Sequence, residues 1–267
     1  MTAVQQDRLL RFAGIVKEEL ERSGEAVAIV ARSGLALGRF GIRYSHAGVS
    51  LKSSDASPWS VRQLYYACDE ERPRLYDQGL PGFVFGTDDA DVGYVTIVLP
   101  GGVEAARLES AALDNARALR LLGATYNPIA YPFSLRYQNC NQWVAELLAA
   151  AWGALDDAID LRARAQSWLS VNGYDPPAIE VQSPWVMLAA NFVPLLRFDD
   201  HPEDDLRAWR IRTSLPDALE AFVRGRAPAA RRIQVCHNER RVVVRRGWSP
   251  IPEGCVAQAG DRVVELD

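Results

Sequence analysis

The stretch VGYVTIVLPGG, positions 92 to 102, constrains this chain more than any other. Its apolar, β-branched run is the clearest strand in the sequence, and a proline and two glycines close it. EAVAIVARSG reads as a second, short buried strand stopped by glycine. YSHAGVSLK is strand-like and SSDASPWS is a turn-rich loop. WSVRQLYYAC is the next strand, with Val61, Gln63 and Tyr65 on one face and Arg62, Leu64 and Tyr66 on the other. RRIQVCHNERRVVVRRG reads as a hairpin whose arginines, alternating with Val and Ile, form a solvated face rather than a phosphate-binding patch. Helical spacing covers residues 5 to 23 and 156 to 168, the segment LPDALEAFVRG, and a long alanine-rich helix, VEAARLESAALDNARALRLLG, ended by Gly123. Strands that cluster and are joined mostly by short turns argue for an α+β fold rather than a regular βαβ alternation.

A length of 267 residues allows one large domain or two small ones. The net charge of −4 points away from a nucleic-acid partner. No stretch reaches the roughly 18 apolar residues that a transmembrane segment needs. The N-terminus, MTAVQQDRLLRFAGIVKEELERSG, is an amphipathic helix without the apolar block of a signal peptide. Either the protein is cytoplasmic, or a leader has been removed. Four cysteines are too few for a disulfide scaffold in a chain of this size. Cys236 and Cys255 are either one pair or two buried thiols, and Cys68, at a strand end, reads as structural. No His/Cys cluster has the close spacing of a zinc site, so no metal or other cofactor is implied.

LRYQNCNQWVAELLAAAWG, positions 135 to 153, carries the chemistry. Asn139 is a good N-cap and WVAELLAAAW runs with helical periodicity, which places Cys140 in the first turn of a helix. There the positive end of the helix dipole lowers a thiol pKa, and backbone N–H groups stand ready to stabilise an oxyanion. The bland alternative is a small buried apolar residue, which most free cysteines are. A thiol nucleophile needs a base, and there are three histidines. His201, in the acidic loop FDDHPEDD, reads as solvent-exposed, and His237 reads as a hairpin-turn residue. His46, at the start of the strand in RYSHAGVSL, must be either hydrogen-bonded in the core or used.

A histidine in SHAGV opening a strand, followed much later by NC, an aromatic residue and a helix, resembles the circularly permuted branch of the NlpC-type, papain-like fold. That branch includes lecithin:retinol acyltransferase and related bacterial enzymes. Its order is His, then a third polar residue on the next strand, then Cys; here these are His46, Gln63 and Cys140. Acyltransferase-like members have a histidine in a V-x-H-L context where this chain has VRQL. A glutamine can hold the imidazole tautomer through Nδ1 but lacks a carboxylate's charge. The phrases RYSHAGVSL, VRQLYYACDEERPRLYDQGLPGF, YNPIAYPFSLRYQNCNQWV and RGWSPIPEGC also resemble a bacterial domain-of-unknown-function family, number 2145.

The resemblance implies a permuted papain-like core over residues 26–170. An N-terminal helix precedes it at 1–25, and a C-terminal extension with a β-hairpin follows at 171–267. It implies a Cys140–His46 dyad oriented by Gln63, thiolate attack on an acyl carbonyl, and an acyl-enzyme resolved by hydrolysis or transfer. Tyr44, Tyr137 and Asn139 are the candidate substrate-binding residues, with packing as the competing role for the two tyrosines. The expected partner is a peptide or acyl substrate from the cell wall or a lipid, and the expected location is the periplasm or envelope, or the cytoplasm if no leader was lost. The competing function is an inactive envelope-associated binding or assembly module; a cytoplasmic protein with a structural Cys140 is the third reading.

Overall fold

A computed structural model describes all residues except Ala36, Gln182, Asn191 and Asp267. In chain order the elements are α1 (Ala3–Arg22), β1 (Val27–Arg32), β2 (His46–Leu51), β3 (Ser60–Ala67), β4 (Arg72–Gln78), α2 (Leu80–Phe85) and β5 (Gly93–Leu99). Next come α3 (Gly102–Leu113), α4 (Asn115–Arg120), α5 (Cys140–Trp152), α6 (Leu161–Val171), β6 (Ala178–Glu180), α7 (Pro184–Ala190), α8 (Glu203–Arg207) and β7 (Arg210–Arg212). The chain closes with α9 (Pro216–Arg226), β8 (Arg231–His237), β9 (Arg241–Arg246) and β10 (Arg262–Glu265). The protein is α+β, with a mostly antiparallel sheet in the order β10-β9-β8-β5-β1-β2-β3-β4 and a separate β6-β7 pair. Among the described residues no helix is long and apolar enough to cross a membrane.

The chain divides into two compact units, each discontinuous in sequence. The first comprises residues 1–62, 77–109 and 223–267; the second comprises 63–76 and 110–222.

In the first unit, alternation along the strands decides the core. Ala28 and Val30, Val95, Ile97 and Leu99, Ile233 and Val235, and Val242 and Val244 all join one buried cluster. Register links them across the sheet, with Val30 opposite Ile97, Ile97 opposite Ile233 and Val235 opposite Val244. Leu9, Phe12, Ala13, Val16 and Leu20 of α1, spaced three or four apart, pack into the same cluster. Each large side chain so buried contributes about 1.5–3 kcal/mol. Thr2 starts α1 with a capping box: its hydroxyl accepts from the Gln5 amide at 3.2 Å, and the Gln5 side chain accepts from the Thr2 amide at 2.8 Å. Glu19, fully buried on α1, accepts from Arg262 at 2.7 Å and also from Arg246, which ties the helix to β9 and β10.

β8 and β9 form the expected hairpin, but its arginines are not a uniformly solvated face. Arg232 and Arg245 are buried. Arg245 makes a bidentate pair with Asp261 at 2.9 and 2.7 Å, and Arg232 donates to Thr96 Oγ1 and to the Trp248 carbonyl. A guanidinium can sit inside a sheet when its donors are met, and charge alternation alone does not reveal that. Cys236 on β8 and Cys255 are joined as a disulfide, with Cα atoms 5.6 Å apart. Cys68 is exposed, one residue past β3, rather than a packed strand end.

In the second unit, the long helix expected through residue 122 breaks in two. Asp114 leaves the helical conformation and accepts from the Arg117 amide at 3.1 Å, capping α4 afresh. Helix α6 begins at Leu161, not at 156, because Asp156 and Asp157 are committed outside it, to Arg164 and Arg117. Helix α5 is buried all round from Cys140 to Ala151 and packs on α6. Phe222 gathers Trp152, Trp168 and Tyr174 around it, with ring centroids 5.9, 6.1 and 5.4 Å away.

Candidate active site

Cys140 is the first residue of α5, as its sequence context predicts. Asn139 takes an extended conformation, and its side-chain oxygen accepts from the Gln142 amide at 2.7 Å. The Asn139 side-chain nitrogen donates to the Pro128 carbonyl at 3.1 Å, to Thr213 Oγ1 at 2.9 Å and to the Ser214 carbonyl at 3.2 Å. Asn139 is 2 % exposed, so both ends of its side chain are used inside the protein. Asn141 donates to the same Ser214 carbonyl at 3.0 Å, so the start of the helix is anchored from two neighbouring positions.

A fully buried carboxylate fixes the helix further along. Glu146 accepts from Arg162 at 2.9 and 3.1 Å, from Gln166 at 2.8 Å and from Gln142 at 3.3 Å, and it also binds Gln138. Gln138 in turn accepts from the Gly123 amide at 2.7 Å and donates to the Leu121 carbonyl at 2.8 Å. A buried ion pair whose remaining lone pairs are all met fixes orientation more than it adds stability.

The same Gln138 backbone brings a further residue to the thiol. It pairs with the segment around Tyr126: the Asn127 amide donates to the Gln138 carbonyl at 3.1 Å, and the Gln138 amide donates to the Thr125 carbonyl at 3.0 Å. Tyr126 hydrogen-bonds the Cys140 side chain. Burial, then the nearby Cys140 and Tyr65, pushes its phenol pKa well above the usual value, so the hydroxyl stays protonated. It is therefore placed to donate to a thiolate. The Tyr66 ring lies 5.6 Å from the Tyr126 ring. Sequence reading sees an aromatic approach to the cysteine but gives no sign that Tyr126 is the aromatic that reaches it.

The other candidates distribute between the units. Gln63, in the second unit with Cys140, is fully buried in β3. His46 belongs to the first unit, where it opens β2 opposite Arg32, with its ring 6.1 Å from Phe83. Tyr44, also in the first unit, is buried and its hydroxyl accepts from Gln234. Tyr137, in the second, is buried with its hydroxyl 3.3 Å from Asp199 and the guanidinium of Arg136 over its ring.

Both remaining histidines depart from expectation. The His201 side chain is fully buried rather than exposed: Nε2 meets the Ile129 carbonyl at 2.8 Å and the Tyr131 ring lies at 5.8 Å. The acidic run around it misleads because Asp200 is itself buried and accepts from the Tyr131 amide at 2.9 Å. His237 is the last residue of β8, not a turn residue, and is buried against Phe12 with ring centroids 4.6 Å apart. Among the described residues no group of three or more His, Cys, Asp or Glu could hold a metal ion.

A family model described as "Uncharacterized protein conserved in bacteria (DUF2145)" matches residues 19–223. The chain belongs to this bacterial family. No curated protein and no solved structure matches it. The DUF2145 match runs from within α1 to within α9 and takes in His46, Gln63, Tyr126 and Cys140, whereas β8, β9, β10 and the disulfide lie beyond it.

Proposed function

We propose that this protein is a cysteine hydrolase or acyltransferase on a circularly permuted papain-like fold, acting on a cell-envelope peptide or amide or on a lipid ester. The observation that carries the reading is Cys140 in the first turn of a rigidly capped, buried helix, with a protonated phenol bonded to its thiol. In this mechanism His46 takes the thiol proton and Gln63 holds the imidazole tautomer. The Cys140 sulfur attacks the acyl carbonyl, and Tyr126 donates to the sulfur or to the developing oxyanion. His46 returns the proton to the leaving group, and water or an acceptor hydroxyl, deprotonated by His46, then releases the acyl group from sulfur. The chain order His46, Gln63, Cys140 supports the permuted topology. The Cys236–Cys255 disulfide favours an oxidising compartment, and with it the periplasm or envelope.

One observation favours a second reading, an inactive binding or assembly module: the third position carries Gln63, which supplies no charge to an imidazolium. Iodoacetamide separates the two. An activated Cys140 is alkylated readily at about pH 6–7, well below the unperturbed thiol pKa of about 8.5, and His46→Ala slows that alkylation with the fold intact. Cys68, being exposed, is replaced by Ser in the background so that only Cys140 reports. Slow labelling in the folded protein, unchanged in His46→Ala, refutes the enzyme and leaves the module. Screening against muropeptides and short acyl esters then assigns the substrate.

A further inference from the structure

The hairpin of the first unit borders a cavity of about 360 Å³ that the proposed chemistry does not use. Arg22 of α1, Arg231 and Arg232 of β8, and Arg246 of β9 line it, with Glu19 as the one carboxylate among the described lining residues. Ile233, 6 % exposed, gives it a narrow apolar strip, and Trp248 forms a wall.

Its charge is not cancelled. Glu19 is shared by Arg246 and Arg262, with Arg22 a further 4.0 Å away, and Glu18 serves both Arg22 and Arg262. Arg231 pairs with Glu25 at 2.8 Å. Arg232, 5 % exposed, donates to the hydroxyl of Thr96 and the carbonyls of Trp248 and Ser249. Arg22, Arg246 and Arg262 thus share Glu18 and Glu19, three guanidinium groups to two carboxylates, while Arg231 is matched by Glu25. Such a surplus, on guanidinium forks that match planar or tetrahedral oxyanions, attracts an anion.

The wall is also prearranged. Gly247 adopts φ 107°, a conformation that L side chains rarely take, and its amide donates to the Arg232 carbonyl at 2.9 Å. This turn sets Trp248 beside the arginines, and Arg224 holds the indole with its guanidinium 5.0 Å from the ring centroid. The exposed heads of Arg22, Arg231 and Arg246 are each more than half accessible. The cavity is of the size that takes a small organic ligand.

We infer that this cavity binds a phosphate-bearing amphiphile, with the phosphate on Arg22, Arg231 and Arg246 and an apolar body against Trp248 and Ile233. The site is independent of Cys140, and its occupancy does not require the enzyme reading. The phosphate could come from a lipid headgroup or from a free phosphorylated metabolite, and the test separates them.

The protein is titrated with monomeric dihexanoyl phosphatidic acid, dihexanoyl phosphatidylcholine and inorganic phosphate, with calorimetry as the readout. The phosphatidic acid binds, the zwitterionic phosphatidylcholine binds about tenfold more weakly or not at all, and Arg22→Gln/Arg231→Gln weakens the phosphatidic acid at least about tenfold. Trp248→Ala weakens the amphiphile and leaves inorganic phosphate unchanged. Inorganic phosphate bound as tightly as the lipid, with both dependent on the two arginines, assigns the cavity to free phosphates and overturns the apolar half of the inference. Arg72→Gln, on β4, serves as the control for general loss of positive charge. No binding, or binding that the control weakens as much as the double variant while circular dichroism stays native, overturns the site.

Discussion

Asn139→Ala tests how the start of α5 is held. The substitution removes an N-cap acceptor that meets the Gln142 amide at 2.7 Å, which costs about 1 kcal/mol. It also removes a donor shared by three acceptors, whose losses differ. The Ser214 carbonyl retains Asn141 at 3.0 Å, and the Thr213 hydroxyl can turn. The Pro128 carbonyl loses the bond from Asn139, and a buried acceptor so stranded costs about 1–3 kcal/mol. The expected total is about 2–4 kcal/mol, read as a lower urea midpoint at unchanged slope. Asn139→Ser separates the contributions, because serine keeps the cap oxygen but cannot reach the same acceptors; it recovers about 1 kcal/mol of the loss. An Asn139→Ala protein within about 0.5 kcal/mol of the parent refutes the reasoning, as does a serine variant no better than alanine.

The disulfide and the buried histidine of the first unit make two further predictions. Cys236→Ser/Cys255→Ser opens a loop of sequence separation 19 and lowers stability by about 3 kcal/mol, measured by denaturation with and without reductant; a double variant as stable as the oxidised parent contradicts this. Burial, against the opposing pull of Asp89 and Asp91, lowers the His237 pKa from 6.5 to about 4. Between those values the unfolded chain binds the proton and the folded protein does not. Stability is therefore full above about pH 6.5 and falls as pH drops toward 4, by at most about 3 kcal/mol. His237→Phe, which keeps the packing on Phe12, flattens the stability curve in that window; an unchanged slope rejects the assignment.

The parts of the fold that were legible in the sequence are those where local chemistry and tertiary packing agree. Asn139 caps in sequence and in space, and the run after it is apolar enough to be buried on every side, so α5 could be read to the residue. The paired strands β8 and β9 were legible for the same reason. The misreadings share one cause, a polar group whose partner lies far away in the chain. Asp200 and His201 look like solvated loop residues until Ile129 and Tyr131, some seventy positions earlier, come into contact. Arg245 looks like a surface residue until Asp261 closes over it. Asp114 resembles an ordinary helix residue because nothing in composition tells a cap from an interior position. Tyr126 could not be singled out among the aromatics before Cys140, since its role depends on pairing beside Gln138.

The position of β8 in the sheet has a consequence for how the chain is made. β8 lies between β5 and β9 and pairs with β5 along seven residues, from Gly93 opposite His237 to Leu99 opposite Arg231. A ribosome delivers β5 well over a hundred residues before its neighbour. Until β8 emerges, the apolar strand Gly93–Leu99, buried at every position in the finished protein, stands as a bare sheet edge. The first unit therefore cannot close until β8 emerges, and the nascent chain carries an adhesive edge through the translation of residues 110–222 of the second unit. Release at a premature stop after α9 would leave that edge permanently open, so such fragments should be found with chaperones or in aggregates even when every residue matched by the family model is present.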